Sequence, residues 1–292
     1  MTPPLTKLER SIRSAVADLE VADLTPRRDA LRGYAASRAA VGLSRRPGIF
    51  VSGGSDIAKL GEGIGLPAYG LALAPHSLSG SNVCPWSTVS CRRSCVAYSG
   101  MGTAPSVLAG RLARTHFLVN DPVGFVSLLV SELDRIVGTE GEISMRLNAF
   151  SDIRWELMLP RWFWGRFSSV RFYDYTKASV GRRPNLPANY ALTHSVSDKT
   201  SPSYIAAAIG AGRSVAVVIP TRGGKTADGT KRPIPADYHK LGTVVDGDLN
   251  DRRYADPAGS LVVLRRKGTL RADSPMVWTA DRLATALDND GK

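Results

Sequence analysis

From Tyr69 onward the chain alternates short apolar segments with helical ones, and this alternation most narrows the folds open to it. Tyr69–Ala74 (YGLALA), Ile143–Phe150 (ISMRLNAF), Val170–Tyr175 (VRFYDY), Tyr190–His194 (YALTH), Ser214–Ile219 (SVAVVI), Val244–Val245 and Leu261–Leu264 read as strands. The run VAVVI is wholly apolar, as befits a parallel strand buried on both faces. Helical patterns lie between them: Pro105–Leu118, Pro122–Val137 with Asp121 as N-cap, a helix within Asp152–Phe167, and another near Ser203–Ile209. Strand and helix in alternation build βαβ units and a parallel sheet. The expected fold is α/β, a (β/α) barrel or partial barrel with parallel strands. A doubly wound open sheet is the alternative.

Residues 1–68 read as an N-terminal helical extension, and 69–292 as the barrel-like domain. Leu5, Leu8, Ile12, Val16 and Leu19 recur at helical steps and form one apolar stripe. A second helix is expected from Thr25 as N-cap, with Pro26 in the first position, to Gly42. Gly53, Gly54, Gly61, Gly63 and Gly65 fall in a loop. No strand precedes Gly61-x-Gly63-x-Gly65, so it is not a dinucleotide fingerprint. A last helix, capped by Thr279, follows Met276.

In a parallel barrel, chemistry gathers at the C-terminal ends of the strands. The residues there are polar in this chain: Asn148, Ser151 and Asp152; then Asp174, Tyr175, Thr176 and Lys177; then His194, Ser195 and Asp198. Thr221 and Arg222, Asp246 and Asp248, and Arg265 to Lys267 follow the later strands. Asp152, Asp174 and His194 are the candidates for proton handling. Asn148, Tyr175, Lys177, Arg222, Asp246 and Asp248 are the candidates for holding a small anionic substrate. Polar loops are ordinary, however, so the set carries more weight than any one member. The aromatic run Trp155, Trp162, Phe163, Trp164 and Phe167 reads as packing against the sheet.

The loop after the first strand holds Cys84, Cys91 and Cys95, the only three cysteines in 292 residues. Thiols gathered in one loop and absent elsewhere suggest a shared ligand rather than scattered buried side chains. Pro85 and the run from Ser87 to Ser90 favour irregular backbone, while one helical turn would put Cys91 and Cys95 on a common face. Arg92 and Arg93 would favour the thiolate form. Three ligands leave a cubane iron–sulfur cluster with one open iron. Zinc would need His76, His116 or a carboxylate to complete its shell. A disulfide with a spare thiol, or three unconnected thiols, is the reading without metal. The odd count argues against the disulfide, as does MTPPLTKLERS, which lacks the apolar core of a secretory signal. No apolar run approaches the ~20 residues of a bilayer span. The expected compartment is therefore a reducing cytoplasm, with no membrane partner.

The formal net charge is +12. Such an excess suits a polyanion, and nucleic acid is a candidate partner, although arginine is spread along the chain rather than gathered in a tail.

A three-cysteine loop after the first strand of a β/α barrel resembles the radical S-adenosylmethionine enzymes. That resemblance covers Tyr69 to about Leu264. It implies a [4Fe-4S] cluster on Cys84, Cys91 and Cys95, with S-adenosylmethionine or a small anion on the open iron. The superfamily's spacing is C-x3-C-x2-C, whereas this chain has C-x6-C-x3-C, and Asn148 to Asp152 stand where that family has Gly-Gly-Glu. More closely, the chain is similar to three-cysteine proteins encoded by phages of actinobacteria. The shared features are the cysteine loop, Ala149-Phe150-Ser151-Asp152, Tyr175-Thr176-Lys177, and Asp246-Gly247-Asp248 through Asp256-Pro257. This implies an iron–sulfur protein working in the host cytoplasm. Two functions stay open: an enzyme of radical or Lewis-acid type, or a nucleic-acid-binding protein whose loop a cluster or zinc merely staples.

Overall fold

The computed structural model describes residues 4–45, 50–53 and 65–288. Of the expected glycine loop, Gly54, Gly61 and Gly63 lie outside the described residues, and Gly53 is not in a loop but ends a short strand, Ser52–Gly53, that pairs with Tyr69 and Gly70. In chain order the helices are α1 (Lys7–Val16), α2 (Arg27–Ala39), α3 (Val89–Arg93), α4 (Pro105–Asn120), α5 (Pro122–Glu140), α6 (Arg161–Arg166), α7 (Pro202–Gly210), α8 (Ala236–His239) and α9 (Ala280–Asp288). The strands are β1 (Ser52–Gly53), β2 (Ala68–Gly70), β3 (Ile143–Arg146), β4 (Val170–Thr176), β5 (Tyr190–Ser195), β6 (Val215–Arg222), β7 (Val244–Asp246) and β8 (Leu261–Arg266). None of the described helices is long and apolar enough to cross a membrane.

The helix boundaries follow local chemistry. Thr6 and Glu9 close a capping box over α1, each accepting the other's backbone N–H. Asp121 caps α5 through Gly124 N–H at 2.8 Å, as its sequence position predicts. The start of α2 differs from expectation by one residue: Pro26 takes the cap position, and Thr25 N–H donates to Ser127 Oγ at 2.9 Å instead. Ile12, Val16, Ala30 and Tyr34 are buried in one core with Phe117, Phe125, Leu129 and Leu133 of α4 and α5. The two N-terminal helices thus share the core that backs β2, β3 and β4.

The sheet runs β1-β2-β3-β4-β5-β6-β8-β7. β1 is antiparallel to β2, and every other pairing is parallel. From β2 to β6 each new strand is laid on the same side of the last. Right-handed crossovers then put the intervening helices on one face, as in a barrel and unlike a doubly wound sheet. Phe172 and Tyr190 accordingly meet Phe163 and Trp164 of α6 on that face.

The order reverses at the end, because β8 inserts between β6 and β7. A right-handed connection running backwards must cross the opposite face. The β7–β8 connection does this: Tyr254 packs edge-on to Tyr173 at 5.5 Å, and Asp251 reaches Arg146 at 2.6 Å and Tyr175 at 3.2 Å. The face opposite the helices is therefore filled by residues 247–260.

The expected barrel does not close. Among the described residues no ladder joins β7 to β1 or β2, and the array is an open, mostly parallel sheet. The swap of β7 and β8 accounts for this, since the last strand is added inside the sheet instead of beside β2. The C-terminal loops nevertheless meet: a Cβ built on Gly268, after β8, would stand 3.1 Å from Ser99 in the loop after β2.

Candidate functional site

β2 delivers the chain through the buried residues Leu71 to Pro75 to the cysteine loop. His76 turns it in the left-handed region, at φ +43°, and its N–H donates to Cys84 Sγ at 3.3 Å. Cys84 S–H points to Phe150 O at 3.5 Å, in the loop after β3. Thr88, buried, caps α3 by accepting Cys91 N–H at 3.0 Å and donates its own proton to Asp198 Oδ1 in the loop after β5. Asp152 N–H donates to Val83 O at 2.8 Å. The cysteine loop is thus tied to the ends of β3 and β5, on the C-terminal edge of the sheet.

The helical turn expected between Cys91 and Cys95 forms only in part. α3 ends at Arg93, and Cys95 lies beyond it, at the start of a short 3-10 turn. Arg92 folds back on Ser87, Nη1 to O at 3.0 Å, and Arg93 is exposed, so neither is aimed at a thiol. The cations that act on Cys95 are Arg111 of α4 and Lys177. Arg111 donates to Ala97 O at 2.8 Å and lies over the Phe150 ring at 4.1 Å.

All three thiols are free and partly buried. Burial pushes Cys84 up to about 12, against a partial offset from the His76 N–H, while Asp152, Cys95 and Cys91 add to the rise. Burial also raises Cys95, and Cys91 again contributes. The thiols are therefore close enough to feel one another's charge. Among the described residues no group of three or more Cys, His, Asp or Glu side chains is placed so that it could hold a metal ion. His76 sits on the same loop, its Nε2 2.9 Å from the Tyr98 hydroxyl. Leu78, Val89, Val96 and Tyr98 are exposed around the thiols.

Beside this loop lies a polar layer built from β3, β4 and β5. Asp152, buried, accepts the Thr176 hydroxyl and the Lys177 N–H, both at 2.7 Å, with Arg183 at 3.8 Å. Its burial raises its pKa more than these partners lower it. Lys177 Nζ reaches Ser195 Oγ at 2.7 Å. Asp152, Lys177 and the thiols of Cys84 and Cys95 thus form one neighbourhood.

The remaining sequence candidates are placed differently. Asp174 is fully buried and accepts Asn148 N–H at 2.8 Å, Asn148 Nδ2 at 3.1 Å and the Tyr190 hydroxyl at 2.6 Å. Burial pushes Asp174 up to about 6. Asn148 is used up holding Asp174, Ser151 and Ile153, and works as a brace. Tyr175 faces Asp251 and the β7–β8 connection. His194 packs on Tyr204 with ring centres 4.5 Å apart, and burial, with Lys177, pushes it down to about 4. Asp246 and Asp248 are locked into Arg265, which makes a two-pronged contact to Asp246 at 2.7 and 2.8 Å; Lys267 also pairs with Asp248. Arg222 is exposed at the end of β6.

Three features had no local signal in the sequence. Arg111 comes from mid-helix, 14 residues beyond its partner Ala97. Arg183 lies in the loop before β5, yet is almost wholly buried and bound two-pronged to Glu156 at 2.9 and 2.6 Å. A cavity of about 900 Å³ lies on the flank between α1, α6 and the start of β4, with Arg13, Arg161 and Arg171 in its lining.

No curated protein and no solved structure matches this chain. A family model described as Gene product 88 does match it, over residues 50–280. That span takes in the sheet from β1 to β8 and the whole cysteine loop, and the chain belongs to the Gene product 88 family, a family of phage-type gene products.

Proposed function

We propose that Cys84, Cys91 and Cys95 hold an iron–sulfur cluster, of [4Fe-4S] type, and that the protein is an enzyme acting on a small anionic substrate at the rim. The observation that carries this reading is three free, partly buried thiols on one loop at the C-terminal edge of the sheet, where Cys84 meets Phe150 O and the turn of Asp152 and Lys177 adjoins. The donor set fits such a cluster in kind. It is all thiol, it is half-shielded from water, and neutral thiols would release protons as they became ligands. The sulfurs are not gathered in this arrangement, so taking up a cluster would require the loop to rearrange. Once bound, a cluster on three cysteines would supply one iron open to an outside ligand.

The chain's own residues take defined parts. Lys177 presents a cation held by Ser195 and is the natural contact for an anionic group. Arg111 screens charge accumulating at Cys95. Asp152, buried and raised in pKa, fixes the turn from which Lys177 projects, and its charge also helps to raise Cys84. S-adenosylmethionine remains a candidate for the outside ligand, carried by the resemblance alone.

Anaerobic purification followed by iron, sulfide and zinc analysis tests the reading. About four irons and four sulfides per chain are expected of a cubane held by thiolates. Cys84→Ala, Cys91→Ala and Cys95→Ala should each abolish loading. Stoichiometric zinc without sulfide would replace the cluster by a structural metal, and a protein free of both would overturn the metal reading.

A further inference from the structure

From Arg222, the last residue of β6, the chain projects towards α8 the segment RGGKTADGTKR, residues 222–232. It folds back on itself as a short hairpin-like arm, joined by one antiparallel bridge. Lys225 and Lys231 pair antiparallel, Thr226 N–H donates to Thr230 O at 2.8 Å, and Arg232 N–H donates to Gly224 O at 3.4 Å. The turn is closed by Asp228, whose carboxylate accepts from the Thr226 hydroxyl and from Thr230 N–H and hydroxyl. Gly229, at φ +83°, supplies the left-handed residue this turn requires. The base of the arm is pinned to the rim by Gly223 N–H to Arg266 O at 2.9 Å and by Lys231 Nζ to Asp248 O.

Its composition restricts what it can bind. Ala227 is its only apolar side chain, so it offers nothing for hydrophobic docking. It carries four cations and one carboxylate, and that carboxylate is consumed within the turn. Among the described residues no acidic group pairs with Arg222, Lys225 or Arg232, and all three are exposed. Arg266 and Lys267 adjoin the base of the arm, and a Cβ on Gly268 would stand 3.1 Å from Ser99, just past the cysteine loop. A polyanion lying along the arm would be led across the edge of the sheet that bears the thiols.

We infer that the arm binds the phosphodiester backbone of nucleic acid. A single phosphate needs one or two cations, whereas this arm sets unpaired cations at Arg222, Lys225 and Arg232 along a ribbon. A two-stranded ribbon is also a shape that the major groove of duplex DNA admits. The inference holds whether or not the cysteine loop takes a metal.

The test is fluorescence anisotropy with labelled 20-nucleotide probes: duplex DNA, single-stranded DNA and RNA, each titrated from 50 to 300 mM NaCl. The wild-type protein should bind at least one probe with affinity that falls steeply with salt. The double variant Lys225→Gln/Arg232→Gln removes two cations without touching any contact within the fold. On duplex DNA it should lower the slope of log affinity against log salt by about 2, and weaken binding roughly 10- to 60-fold at 0.1 M salt. Which probe responds identifies the nucleic acid. Wild-type affinity and slope in the double variant would overturn the inference, as would absence of binding to all three probes at 50 mM NaCl. So would a loss confined to Arg13→Gln/Arg161→Gln/Arg171→Gln, which would move the interface to the flank cavity. Metal content, measured on the same samples, separates this outcome from the fate of the cluster reading.

Discussion

Glu9→Ala should be among the most damaging single truncations of a charged side chain in this protein. Glu9 and Arg154 meet with side chains only 2% and 0% exposed. The carboxylate accepts Arg154 Nη2 at 2.6 Å, Nε at 3.0 Å and the backbone N–H at 3.1 Å, while Nη2 also reaches Pro4 O at 2.8 Å. Removing the carboxylate leaves a buried guanidinium without its counter-charge and two donors without partners. A buried pair broken in this way costs about 3–5 kcal/mol. Thr6 N–H also loses its acceptor, which adds to that cost, while the cap bond from the residue 9 N–H to Thr6 Oγ survives. The comparison is Asp134→Ala, which breaks the two-pronged Arg166–Asp134 pair, 40% exposed on each side. Exposed pairs contribute about 0–1 kcal/mol.

Urea unfolding followed by tryptophan fluorescence measures both variants, and the fully buried Trp155, next to Arg154, is a local reporter. The expected result is a large drop in midpoint for Glu9→Ala at unchanged slope, and almost none for Asp134→Ala. If the penalty is the orphaned charge, Glu9→Leu/Arg154→Met should recover at least about half of it, since apolar replacement of a whole buried pair is often neutral. Two single variants within ~1 kcal/mol of each other would refute the reasoning. There is also a pH signature. Burial works to raise the Glu9 carboxyl, but the Arg154 and Thr6 contacts together hold it below its ordinary range. Its contribution is therefore present above the unfolded pKa and is lost as pH falls through the lower, folded value; Glu9→Gln should lack that acid-side loss.

Thr88→Val removes both the cap on Cys91 N–H and the tie to Asp198; it should cost about 1–2 kcal/mol and speed modification of Cys91 by a thiol reagent, with an unchanged rate counting against the tie. His194, pushed down to about 4, stays neutral in the folded protein while the unfolded chain takes up a proton below about pH 6.5, so stability should fall between those values as pH is lowered. Asp174, raised to about 6, acts in the opposite sense over much of that window, so the check is whether His194→Gln falls less steeply than wild type. Gly247→Ala would bring a Cβ within 2.7 Å of Val262 and Leu264 side chains, and should destabilise by about 1–3 kcal/mol in the same urea assay; a neutral result would mean that β8 can shift.

The core strands were legible because burial on both faces writes itself as a local run of apolar residues. VAVVI became β6, and α4, α5 and α7 began where Pro105, Pro122 and Pro202 allow. What the sequence could not carry was order. Val244–Val245 and Leu261–Leu264 look alike as short apolar runs, and nothing in either says that the later one lies between β6 and β7. That exchange decides the architecture: it leaves the sheet open and sends residues 247–260 across the face opposite the helices. It also reassigns polar groups that a barrel would have brought to one mouth. Tyr175 turns to Asp251, and Asp246 and Asp248 close on Arg265 two strands away from β5.

The same limit applies at the candidate site. Glu9 and Arg154 are 145 residues apart, and Thr88 and Asp198 are 110 apart, so neither pairing has a periodicity to betray it. The thiols were legible as a group because their chemistry is concentrated in one loop of otherwise ordinary composition. Their cations were not. Arg92 and Arg93, adjacent in sequence, turn away, while Arg111 and Lys177 arrive from α4 and the end of β4. A charge acts on a thiol through space, so its source is fixed by which strand ends share an edge. For this chain that makes Lys177, rather than either neighbouring arginine, the cation to remove when testing what the cysteine loop binds. Lys177→Met should leave metal loading intact, because no ligand is lost, and should weaken capture of an anionic ligand at the rim. Loss of metal together with the lysine would instead make it part of the structural support of the loop.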